Sequence, residues 1–71
     1  MAKLTETQVD QTVTIEAITN PEFYESVSNH GFVIGSDVRV ISKVPGAIAC
    51  EINQSRFAIR TTDADSVIVS N

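Results

Sequence analysis

The stretch HGFVIGSDVRV, residues 30 to 40, decides the fold. Two glycines, Gly31 and Gly35, bracket three apolar residues, and strand-like alternation follows. Gly31 can end a preceding helix in the left-handed conformation, and Gly35 can turn the chain sharply into the next strand. Phe32 and Ile34 can then plug the end of a small barrel as the chain crosses it. We therefore assign this stretch a structural role and no chemistry.

The segments on either side predict one helix and several short strands. Apolar residues alternate with polar ones from Val13 to Ile18, which is the period of a strand. A helix is expected from Pro21 to about His30, with Thr19 or Asn20 as its cap. Four further strands are expected near residues 37–44, 48–52, 56–60 and 67–69, with a turn at Pro45 and Gly46 and a short hairpin connection at residues 53–55. About five short strands favour a mainly β fold, a small and partly closed barrel with one short helix inserted after the first strand.

Residues 1 to 11 are polar, and Leu4 and Val9 are their only expected anchors. We treat residues 1–11 as an N-terminal segment that can be partly ordered and residues 12–71 as the barrel domain. The 71-residue length allows one domain with a thin core.

Composition excludes several classes of partner. Nine acidic residues against five basic ones give a net charge of −4. Nucleic-acid binding and docking on anionic lipid both draw on clustered Lys and Arg, so neither is expected. The single cysteine fits a reducing compartment, and the N-terminus has no long apolar run. We expect a cytoplasmic location without membrane insertion.

The residues that could carry chemistry are few and scattered. His30 is expected to cap the end of the helix, with a metal or acid–base role as the alternative. Cys50 alternates with apolar residues and is expected in the core, with a reactive or metal-binding thiol as the alternative. Asp63 and Asp65 lack the further ligands of a calcium loop and are expected in a turn. We predict no catalytic residue, no metal ligand and no cofactor, and hence no enzyme.

The chain resembles the ferrous iron transport protein A (FeoA) family. The resemblance rests on the strand at 13–18, the helix that ends at Gly31, Phe32, Gly35 and the valine-rich strand at 38–44. It continues in SRFAIRTTDADSVIV, residues 55–69, with an arginine at the end of one strand and a small residue before the last. The resemblance implies an SH3-like barrel and a cytoplasmic accessory protein of iron transport. The chain departs from the family's pattern in its helix, which carries Glu22 and Glu25 where basic residues are usual.

Two functional hypotheses follow from the resemblance. The first is a regulatory protein that docks on the cytoplasmic part of a FeoB-type membrane GTPase-permease; weak self-association is left open. The second is a metal-responsive module like the C-terminal barrel of metal-dependent repressors. The helix carries a stripe of three large side chains, Phe23, Tyr24 and Val27. The stripe is wider than the contact of one helix side with the barrel requires, so it is the predicted docking face. The alternative is that all three side chains pack on the barrel.

Overall fold

A computed structural model describes residues 2–70. Its elements are β1 (Ala2–Lys3), a 3₁₀ turn (Leu4–Glu6), β2 (Thr12–Ile18), α1 (Pro21–Ser28), β3 (Asp37–Val44), β4 (Ala47–Ile52), β5 (Ser55–Arg60), α2 (Thr61–Ala64) and β6 (Val67–Ser70). All strands belong to one antiparallel sheet in the order β1-β6-β2-β3-β4-β5. The mainly β fold is confirmed, with six strands in the described residues instead of about five.

One face of this sheet supplies most of the core. The buried strand residues follow the alternation of the sequence: Val13, Ile15, Val38, Val40, Ile48, Cys50, Ile52, Ile59, Val67 and Val69. The described part of the chain measures 25 × 24 × 22 Å, so the sheet is curled around these side chains and is not flat. Alternation works as a predictor here because successive strand side chains point to opposite faces.

The N-terminal segment is part of the barrel from Ala2 onward. β1 pairs with β6, and Leu4 is fully buried in the core. The Thr5 hydroxyl donates to Asp65 at 2.9 Å, and the Lys43 ammonium donates to the Thr5 carbonyl at 3.0 Å. The prediction of Val9 as a second anchor is wrong, because its side chain is 48% exposed.

Helix α1 begins at the predicted place and ends earlier than predicted. The Asn20 side chain accepts hydrogen bonds from the backbone N–H groups of Glu22 and Phe23, at 3.1 and 3.3 Å, so Asn20 is the cap. The last helical residue is Ser28 instead of His30. The chain then forms a tighter, 3₁₀-type turn, because the N–H of Gly31 donates to the Ser28 carbonyl three residues back.

The crossing segment after α1 depends on its two glycines. Gly31 has φ +90° and Gly35 has φ +94°, conformations that other residues rarely adopt. Phe32 between them is fully buried, as predicted, whereas Ile34 is 54% exposed and does not plug the barrel. The Gly35 N–H donates to the Ile15 carbonyl at 2.8 Å, which fixes the crossing segment to β2.

Two tight hairpins join the last strands of the sheet. Pro45 and Gly46 connect β3 to β4, and the φ of +83° at Gly46 suits the third position of a type II turn. Asn53 and Gln54 connect β4 to β5 with φ of 51° and 70°. Two successive positive φ values define the type I′ turn, whose twist matches that of the strands.

Cys50 lies in β4, and its side chain is fully buried in the core. The core position predicted from its alternation with isoleucines is confirmed. Burial away from water disfavours the thiolate and raises the pKa of Cys50 to about 11.

We expect Gly35→Val to lower the free energy of unfolding by about 1–3 kcal/mol, because a β-branched residue is strained at positive φ. A Cβ at this position meets no atom within 4 Å, so backbone strain alone causes the loss. Gly35→Asn is the matched control, because asparagine tolerates positive φ better, and it should lose less. Denaturant melts measure both, and equal midpoints for the two variants would contradict the strain argument.

We expect the Cys50 thiol to react with a disulfide reagent at pH 8 at least about 100-fold more slowly in the folded protein than in the unfolded one. The shift in pKa from 9.0 to about 11 alone lowers the thiolate fraction by that factor. Because folding favours the protonated thiol, this stabilisation is complete below pH 9 and is lost as the pH rises through 11. Absorbance kinetics with and without denaturant measure the ratio, and comparable rates would show that the thiol is accessible.

Candidate docking surface

Phe23, one of the three residues predicted to bind a partner, belongs to the core. Its side chain is 7% exposed, and its ring packs edge-on against Phe32 with the ring centres 5.8 Å apart. Phe32 contacts Phe57 of β5 in the same manner at 5.9 Å. The prediction that Phe23 contacts a partner is therefore corrected: the side chain attaches α1 to the barrel.

Tyr24 and Val27 are both half-buried, and they differ in what they cover. Val27 packs against the core cluster, so a substitution there changes the packing of the helix as well as its surface. Tyr24 is not part of that cluster. At 100° per residue Tyr24 is turned away from the core direction, on the side of the helix that also carries Ser28 and the exposed Glu25. We call Tyr24, Glu25 and Ser28 the outer α1 face.

The α1 helix is acidic on its solvent side. Glu22 and Glu25 are exposed, and within residues 2–70 neither carboxylate forms an ion pair. Glu22 lies in the first turn, where a negative charge is favoured by the helix dipole, so it has a local structural role. Glu25 lies beyond that turn, and its charge is free to attract a basic partner.

His30 does not cap the helix through its side chain. The imidazole is exposed and lies edge-on to Phe57, with ring centres 6.3 Å apart. Four rings therefore pack edge-on in a row, in the order Phe23, Phe32, Phe57 and His30. The sequence did not indicate this contact, because His30 and Phe57 lie on elements that are far apart in the chain.

The remaining predicted residues lie in turns. Gly31 and Gly35 flank the buried Phe32, whereas Pro45 and Gly46 lie in the exposed β3–β4 hairpin. The two pairs do not form one surface. The Gly46 carbonyl accepts a hydrogen bond from the Thr61 N–H at 3.0 Å, so that hairpin also holds the start of α2.

The described residues contain no cluster of three or more His, Cys, Asp or Glu side chains that could hold a metal ion. Asp63 in α2 and Asp65 just after it both have partners within the protein. Asp63 lies 3.4 Å from the Arg60 guanidinium, and Asp65 accepts from Thr5. Asp63 is thus paired locally, whereas Asp65 links the end of α2 to the N-terminal segment.

Shallow clefts indent the described surface. One of about 460 Å³ lies beside the N-terminal segment and is lined by Ala2, Glu6, Thr7, Gln11, Val13, Val69 and Ser70. Another, of about 220 Å³, lies between α1 and the end of β5, where Glu22 faces Arg60 and Asp63. Neither cleft contains Tyr24 or Val27. Across residues 2–70, no helix has the length and apolar character needed to cross a bilayer.

The fold is shared with several solved proteins. FeoA from Stenotrophomonas maltophilia in complex with zinc, described as a prokaryotic SH3 domain protein and a suggested ferrous iron transport activating factor, is 25% identical with a TM-score of 0.84; the match covers 99% of this chain and 91% of that one. Iron(II) transport protein A from Clostridium thermocellum is 24% identical with a TM-score of 0.87, over 97% of this chain and 44% of that one. A manganese-dependent transcriptional repressor is 20% identical with a TM-score of 0.85, over 99% of this chain and 41% of that one.

The chain thus spans less than half the length of two of these proteins and nearly all of the third. Among curated proteins, no relative is found. The family model of the FeoA domain matches residues 2–71, and the FeoA family is implicated in ferrous iron transport. Since that match spans both the sheet and the inserted helix, the chain belongs to the FeoA family.

Proposed function

We propose that this protein is a cytoplasmic accessory factor of ferrous iron uptake that docks on the cytoplasmic part of a FeoB-type GTPase-permease and modulates it without catalysing a reaction. The observation that carries the proposal is membership of the FeoA family over residues 2–71. The zinc-bound relative is itself described as a suggested activating factor of ferrous iron transport. A protein that regulates a permease needs a surface for it, and the outer α1 face is our candidate.

The outer α1 face is suited to docking because of the way in which the helix is attached. Phe23 buries one side of α1, and Val27 packs beside it on the core. Glu25 on the opposite side is exposed, and Tyr24 and Ser28 lie half-buried on the flank of the helix beside it. An aromatic ring next to a free carboxylate, as in Tyr24 and Glu25, offers apolar area together with a charge that orients the partner. A partner that fits this surface carries a basic group beside an apolar pocket.

We expect Tyr24→Ala to weaken binding to the purified cytoplasmic part of the permease by about 1–2 kcal/mol, roughly 5- to 30-fold, as for an aromatic residue at the centre of an interface. The free energy of unfolding should stay within about 1 kcal/mol of the parent, because Tyr24 lies outside the core. Isothermal titration calorimetry and a denaturant melt measure the two quantities.

Val44→Ala is the matched control for this experiment. Val44 is 56% exposed at the β3–β4 hairpin, so its truncation removes exposed apolar area away from α1. Binding that is unchanged in Tyr24→Ala would show that the outer α1 face is not the docking surface. Absence of binding by the parent protein itself would contradict the proposed function.

A second candidate function is a metal-responsive regulatory module. It is favoured by the zinc complex of the S. maltophilia relative and by the fold shared with the manganese-dependent repressor. In this chain the two side chains that transition metals prefer, His30 and Cys50, are poorly placed for it. His30 is exposed at the helix end, and the buried Cys50 would have to lose a proton held with a pKa of about 11.

We expect the isolated protein to show no stoichiometric ferrous iron site of submicromolar affinity in anaerobic calorimetric titration. The same titration with zinc is the control, since zinc binds nitrogen and sulfur ligands strongly. A tight stoichiometric site for ferrous iron would overturn this prediction and favour the metal-responsive module.

A further inference from the structure

The sheet has two edges of very different length. β1, at one edge, has two residues and is followed at once by the 3₁₀ turn. β5, at the other edge, has six residues and pairs only with β4. Within residues 2–70, no other element forms backbone hydrogen bonds with residues 55–60. A long unpaired edge is a template for another strand.

The register of the β4–β5 hairpin shows which backbone groups are free. In an antiparallel hairpin with a two-residue turn, the pair beside the turn exchanges hydrogen bonds, and bonded pairs then alternate with unbonded ones. Ser55 belongs to the first pair and Phe57 to the next bonded pair. Arg56 and Ala58 therefore direct their N–H and carbonyl groups away from β4, toward the open side of the sheet.

Arginine side chains flank this edge on its solvent face. Arg56, Ala58 and Arg60 alternate along β5 and are all exposed, whereas Ile59 between them is buried. In the described residues Arg56 forms no ion pair, because Glu51, its neighbour across the sheet, is bonded to Arg39 at 2.9 Å. Arg60 reaches Asp63 at 3.4 Å and is 82% exposed, so that pair holds it weakly.

These charges discriminate between the strands that could pair with β5. A second copy aligned antiparallel about Ala58 would place Arg56 opposite the Arg60 of that copy, and like charges directly opposite are destabilising. A strand that carries carboxylates at the same positions would instead form two ion pairs. The edge is therefore protected against pairing with itself and open to an acidic strand.

We propose that the free edge of β5 binds an extended acidic segment of a partner protein by strand addition. The free backbone groups of Arg56 and Ala58 supply the hydrogen bonds, as in other complexes in which a peptide extends a sheet. Carboxylates four residues apart in the segment face Arg56 and Arg60. Apolar residues between them face the core side of the sheet beside Phe57, which is half-buried. This inference rests on the sheet edge and does not depend on the permease.

The test is a titration of the ¹⁵N-labelled full chain with the peptide acetyl-Thr-Glu-Val-Thr-Val-Glu-Thr-amide, followed by NMR. Its pattern is the same in both directions, so it can present two carboxylates to the arginines in either orientation. We expect the amide resonances of residues 55–60 to shift most. The same peptide with lysine in place of glutamate should bind at least about tenfold more weakly, since both ion pairs become repulsive.

Two variants separate charge from backbone pairing. Arg56→Glu should weaken binding of the glutamate peptide about fivefold or more, whereas Lys3→Glu, the same charge change on the opposite edge, should leave it within about twofold. Ala58→Pro removes an N–H that points away from β4 and should abolish strand addition. Its spectrum shows whether the sheet is intact, and Arg56→Glu decides the question if it is not.

Three results would overturn the inference. Equal affinities for the glutamate and lysine peptides would show that the arginines do not select the partner. Peptide-induced shifts confined to residues outside β5 would place the binding elsewhere. Concentration-dependent shifts of residues 55–60 without any peptide would show that a second copy occupies the edge.

Discussion

The packing of Phe32 is the interaction on which the rest of the structure depends. Its ring is fully buried and lies edge-on to Phe23 of α1 and to Phe57 of β5, at 5.8 and 5.9 Å. Edge-on aromatic pairs contribute about 0.5–1.5 kcal/mol beyond the area that they bury. These contacts attach the inserted helix and the edge strand to one another through the loop that carries Phe32. Gly31 and Gly35 make this possible, because their positive φ values bring the chain across the barrel within five residues.

The helix and the five longer strands were predictable from the sequence because each follows the period of its own structure. β1 was not, since Ala2 and Lys3 are both exposed and show no alternation. The sheet begins there because Leu4, the next residue, is drawn fully into the core and carries the segment against β6. Leu4 and Val9 are both expected anchors of this segment, and the sequence does not show that only Leu4 is buried. The predicted boundary at Thr12 therefore separates residues that the structure joins in one sheet.

The candidate docking surface was less predictable than the fold. Phe23, Tyr24 and Val27 lie on neighbouring positions of a helix, and the spacing does not tell which of them the barrel covers. That depends on the direction from which Phe32 meets the helix, and Phe32 reaches Phe23. The prediction that Ile34 plugs the barrel is wrong for a related reason. Gly35 turns the chain toward β2 immediately after Ile34, so the Ile34 side chain remains outside. In both cases the outcome was decided by contacts between elements that local patterns do not contain.

The two surfaces proposed to bind partners, the outer α1 face and the β5 edge, carry charges of opposite sign. The sheet is curled but not closed, so β5 keeps an edge that can accept a strand, and the charged side chains exposed on it are Arg56 and Arg60. The helix has its inward side fixed by Phe23 and turns carboxylates outward. A net charge of −4 does not describe either surface, because each presents its own charge to a partner within about one Debye length of 8–10 Å. A small domain with one thin core can thus offer a basic strand edge and an acidic helix face, and the two meet at the cleft that Glu22 and Arg60 both line.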